Sequence, residues 1–101
     1  MMFVALILAA ATPADAVPKA RQAYASCLHQ YTDGAVDKKM AKDEFLAGLK
    51  TKCANEEAKF RTALTAADKA DGMSDKDAAA DVNDQVQGYI DQMTDNFTSG
   101  G

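Results

Sequence analysis

Cys27 and His29 stand two positions apart in the stretch YASCLHQY (24–31), and Cys53 is the only other cysteine of the 101-residue chain. Thiol and imidazole together could hold a metal ion or form a nucleophile with its base. The helical period argues against both. Two residues correspond to about 200° of rotation on a helix, so Cys27 and His29 leave from opposite faces. His29 falls with Gln22, Ala25 and Ser26 on the polar side. A zinc site would need about four ligands, commonly in paired spacings such as C-x-x-C or H-x-x-x-H, and neither spacing occurs. No C-x-x-C pair supports disulfide exchange, and no C-x-x-C-H supports haem attachment. Neither a metal ion nor a cofactor is expected, and no catalytic residue is assigned. The expectation is a structural disulfide, Cys27 to Cys53, joining two neighbouring helices of an exported chain. Closing a loop of that length stabilises the fold by roughly 3.5 kcal/mol in the chain-entropy estimate.

Two other stretches raise chemical possibilities. Asp71-Gly72 resembles the centre of an EF-hand loop, but aligning Gly72 with the loop glycine puts Ala67, Lys69 and Ala78 where carboxylate ligands belong. A helix–turn–helix corner is the better reading. Downstream, Asp77, Asp81, Asp84, Asp91 and Asp95, with Gly88 in register, recur at alternating four- and three-residue steps and make one acidic stripe. The stripe is expected to be a solvated face or, functionally, a docking face for a basic partner or weakly held divalent cations. Asn96-Phe97-Thr98 matches a glycosylation sequon, a short pattern with a high chance rate. The lysines at 38, 39 and 42 crowd the first loop and are expected to be solvated, the alternatives being pairing with aspartates of the third helix or contact with an anionic surface.

The elements that must position these residues are helical. There is no period-2 alternation and no β-branched run of useful length. A first helix is expected over about 18–31, opened by Pro18, with Val17, Ala20, Tyr24, Cys27, Leu28 and Tyr31 on its apolar stripe and a break at Thr32-Asp33-Gly34. A second is expected over about 42–70, near 42 Å at about 1.5 Å per residue, and ended by Gly72. Its apolar side comprises Phe45, Leu46, Leu49, Cys53, Phe60, Ala63, Leu64 and Ala67, interrupted by Glu56. A third is expected over about 75–97, N-capped by Ser74 with Asp77 at N3, its apolar stripe being Val82, Val86, Tyr89, Ile90, Met93 and Phe97. Residues 98–101 would be a flexible tail. The expected architecture is all-α: a disulfide-stapled helical hairpin with a third amphipathic helix packed back on it, a small three-helix bundle forming one domain over 17–97.

Composition sets the class. Residues 1–16, MMFVALILAAATPADA, have an apolar run ending in an A-x-A signature and read as a cleavable export signal. The run is too short to span a bilayer, and no stable membrane anchor is expected after cleavage. The net charge of −4 argues against nucleic acid as a partner. A short mature chain without tryptophan has a marginal core and needs a staple or a partner. These features point to a periplasmic or secreted, non-enzymatic helical module that binds a protein partner or associates with itself. The competing reading is a periplasmic stress-type holdase chaperone whose helices loosen to expose apolar surface.

Overall fold

The computed structural model describes residues 13–100, and their regular structure consists of four helices: α1 (Pro13–Asp37), α2 (Lys42–Lys52), α3 (Ala54–Ala70) and α4 (Asp75–Thr98). Residues 1–12 of the expected export signal, and Gly101, lie outside the described residues. Helix α1 begins at Pro13, ahead of the expected start at Pro18, and runs through the expected cleavage point between Ala16 and Val17.

Helix α1 also continues six residues past the expected end at Tyr31. The sequence Thr32-Asp33-Gly34 is unfavourable for a helix interior, yet tertiary packing outweighs propensity here. Thr32 is buried and its hydroxyl donates to the Leu28 carbonyl at 2.8 Å, which satisfies it inside the helix, while Ala35 one turn on is also buried. The helix ends in a Schellman arrangement: Met40 N–H reaches the Ala35 carbonyl and Lys39 N–H the Val36 carbonyl. Lys39 takes the left-handed conformation (φ 55°) usually given to glycine.

The single long helix expected over 42–70 is two helices, so the bundle has four helices in place of three. Cys53 leaves the helical region (φ −109°, ψ 24°), ending α2 and starting α3. Phe45 and Leu49 of α2, and Phe60 and Leu64 of α3, nevertheless face one core.

Cys53 is joined to Cys27 by a disulfide with Cα atoms 6.0 Å apart. The six described aromatic residues form two trios in the chain's order on either side of this bond. Tyr24, Phe60 and Tyr89 have ring centroids 5.5–5.9 Å apart. Tyr31 stacks on Phe45 at 5.7 Å and Phe45 on Phe97 at 4.1 Å. These pairings run α1 antiparallel to the α2–α3 segment, and α4 lies along both α2 and α3. The α3–α4 corner follows the sequence reading. Gly72 is left-handed (φ +102°) and Ser74 Oγ accepts from Asp77 N–H at 3.1 Å, forming the expected N-cap. Helix α4 then buries Ala78, Val82, Val86, Ile90 and Met93.

Replacing both cysteines by alanine, or reducing the wild type, lowers stability in urea by about 3.5 kcal/mol. Equal unfolding midpoints for oxidised and reduced protein would overturn this. Gly48 sits against the Tyr31 hydroxyl, which is wedged 3.4 Å from the Phe45 carbonyl oxygen, so a Cβ there collides with the ring. Gly48→Ala therefore destabilises by about 1–3 kcal/mol, whereas Gly88→Ala, with open space around it, stabilises by about 0.5–1 kcal/mol. Thermal melts of the two variants should move in opposite directions.

Candidate functional site

Two surface features share helix α4. The first is an open groove of about 370 Å³ between the α2–α3 segment and α4. Its apolar lining is Ala54, Ala58, Val86 and Ile90, and its polar lining is Lys50, Glu57, Arg61 and Gln87. The polar groups are held in place by the fold. Glu57 and Arg61 are one turn apart on α3 and pair at 2.8 Å, and Arg61 also donates to Asn83 Oδ1 on α4 at 2.8 Å. Beneath them lies Tyr24, fully buried, its hydroxyl lacking a hydrogen-bond partner. Burial, with the nearby Glu57 charge second, pushes its ionisation far above the ordinary tyrosine range. Such a hydroxyl stays neutral across the physiological range.

The second feature is the acidic stripe. Six aspartates on α4 face Lys76 as its only base, which leaves nine acidic and ten basic residues in the rest of the chain. The net charge of the protein therefore resides on this helix. Asp77, Asp84, Asp91 and Asp95 are exposed, and their helical phase puts them opposite the buried stripe. Gln87, on the wall of the groove, donates to Asp91 at 3.0 Å and links the two features. The only cation paired with an α4 aspartate among the described residues is Lys69, 2.8 Å from Asp75 at the corner, and the pairing raises Lys69 and lowers Asp75.

Asp81 departs from its neighbours in the stripe. It is half-buried, accepts from Gln85 at 3.2 Å and faces the carboxyl group of Asp68 on α3. Asp68 is a residue the sequence reading did not single out. It is 6 % exposed, although Phe60-Leu64-Asp68 spacing places it directly on the apolar line. That spacing was the available signal.

The remaining sequence candidates are dispersed. His29 is exposed on α1, away from the half-buried Cys27. The Asp71-Gly72 stretch is the expected corner, with Met73 N–H bonded to the Asp68 carbonyl. Asn96 of the sequon lies within α4. Among the described residues no three His, Cys, Asp or Glu side chains are grouped to hold a metal ion, and no helix is long and apolar enough to cross a membrane.

Because Tyr24 buries an unpartnered hydroxyl, Tyr24→Phe is expected to leave stability unchanged or to raise it, by removing a desolvated polar atom while keeping the ring contacts. Urea unfolding at neutral pH tests this, and a loss above about 1 kcal/mol would show that the hydroxyl holds Glu57 in place.

No protein-family model, curated protein or solved structure matches the chain, so its function is argued from this geometry.

Proposed function

We propose that the protein is a small exported, non-enzymatic binding module of the periplasm or cell envelope, which docks a basic protein partner on the outer face of α4. One observation carries the reading: the whole net charge of the chain lies on one helix, whose exposed aspartates are spread along several turns. This placement is unfavourable for the helix by itself. Aspartate is a poor helix former, and Asp91 and Asp95 lie toward the C-terminal end, where the helix dipole disfavours negative charge. Stability alone would favour another polar residue at these positions. A row of like charges raises the local negative potential, speeds encounter with a cationic partner and fixes its orientation. The adjoining groove adds apolar area, chiefly from the exposed Ala54 and Ala58, so a partner segment with a basic edge on the aspartates and an apolar edge in the groove fits both features. The Cys27–Cys53 disulfide suits an oxidising compartment.

The test is crosslinking and pull-down from native envelope extracts, with the wild type and an Asp84→Asn, Asp91→Asn, Asp95→Asn triple variant as baits. These residues are exposed, so circular dichroism should be unchanged. The expected result is a partner that the wild type retains at low salt and that the triple variant binds about tenfold more weakly, three rim charges each contributing about 0.5 kcal/mol. Recovery of the same partner by both baits, insensitive to salt, would overturn the proposal.

A further inference from the structure

Asp68 is the one acidic side chain that the fold takes out of water. It lies at 6 % exposure on the last turn of α3, and its Oδ2 has no donor in reach. Opposite it across the α3–α4 interface is Asp81, also a carboxyl group. Two carboxylates are acceptors only, and they can satisfy each other only when one of them carries a proton. The surroundings decide which one. Asp81 receives the amide of Gln85 from its own helix and the field of Arg21 from α1, both of which favour its ionised form. Asp68 has no such donor, and the neighbouring Asp71 adds a further negative charge. When the pair holds a proton, in mild acid, these surroundings place it on Asp68, facing the Asp81 carboxylate.

The position of the pair gives it leverage. The backbone carbonyl of Asp68 accepts the Met73 N–H, and Lys69 beside it accepts Gly72 N–H, so Asp68 is part of the turn that reverses the chain. We infer that Asp68 and Asp81 share one proton and form a pH-dependent clasp, holding the α3–α4 corner closed in mild acid and loosening it as the proton leaves. This reading does not depend on what docks on α4.

The direction follows from linkage. The hydrogen bond with Asp81, then burial, then the Asp81 and Asp71 charges push Asp68 up to about 6, while the bond from Asp68 and that from Gln85 hold Asp81 below the usual range. In the unfolded chain Asp68 ionises near the ordinary aspartate value, about 3.9. Between that pH and about 6 the folded state binds the extra proton, so the pair's contribution to stability declines as pH rises through this window and is lost by neutral pH. Below the window the sign reverses for Asp81, whose depressed ionisation favours folding only while it remains charged.

Carboxyl carbon NMR of the disulfide-bonded chain reads the proton directly. Asp68 is expected to titrate with a midpoint near 6, and in Asp81→Asn, where an amide can donate to it, the midpoint should fall toward the ordinary aspartate range. A wild-type midpoint near 4, the value of an unperturbed aspartate, would overturn the inference. Thermal melts of Asp68→Asn provide the second measurement, because the amide imitates the protonated acid. Relative to wild type this variant should melt several degrees higher at pH 7.5 and show no such advantage at pH 4.5. Since general charge effects are common to both proteins, the same difference at both pH values would also overturn it. Hydrogen exchange at Gly72 and Met73, corrected for intrinsic rate, should be faster at pH 7.5 than at pH 5 in the wild type and equally protected at both in Asp68→Asn; uniform protection in both proteins would overturn the clasp.

Discussion

The bond between Cys27 and Cys53 is the constraint on which the rest of the arrangement depends. It attaches the middle of α1 to the one residue at which the α2–α3 segment departs from helical geometry. A break in a helix is ordinarily a place where the chain can hinge, since a backbone hydrogen bond is missing there. Here the covalent link to α1 restrains that freedom. The two aromatic trios then fall on either side, one built on Phe60 and the other on Phe45, and each includes residues from α1 and α4. Arg21 lies 4.9 Å above the Phe60 ring and adds a cation–π contact at the outer edge of the first trio. With the core contacts fixed along α1, α4 can cover both α2 and α3 at once.

How much of this was legible from sequence depends on the kind of signal. The disulfide, the Ser74 cap and the Gly72 turn rest on residue types with strong local preferences, and the sequence displays them openly. The end of α1 was hidden because the left-handed position is occupied by Lys39, not by glycine or asparagine, and because Thr32 satisfies its hydroxyl within the helix. The break at Cys53 was hidden for another reason. The apolar positions from Phe45 to Leu64 share one helical face about 100° wide, so the pattern reads as a single continuous helix and carries no mark of an interruption.

The acidic residues were legible as a pattern but not as individuals. Period alone groups Asp77, Asp81, Asp84, Asp91 and Asp95 together, and the fold keeps four of them in water while bringing Asp81 against Asp68. What separates Asp81 is the opposing helix, a tertiary fact that no single-helix pattern contains. Asp68 was missed because a charged residue at an apolar position reads as the end of the stripe. In the fold the stripe continues, and the carboxyl group goes inside with it.

That substitution grades the hairpin from one end to the other. Had residue 68 been leucine, the line of Phe60 and Leu64 would have extended the apolar core to the corner, and the α3–α4 hairpin would be held alike along its length. Instead the end near Phe45 and Phe97 is held by stacked rings close to the disulfide, while the corner end combines the small buried side chains Ala78 and Val82 with a helix cap, an exposed ion pair and two facing carboxyl groups. Hydrophobic contacts change little with pH, whereas these polar contacts respond to it. Local stability in a small protein need not be uniform, and opening begins where buried apolar contacts are fewest. The exposed aspartates from Asp84 to Asp95 lie along the firmer part of α4, beside Val86, Ile90 and Met93. A docking face on that part, as proposed, would keep its shape while the corner opens and closes, because the aspartates that form it stand on the turns of α4 whose other side is buried in the core.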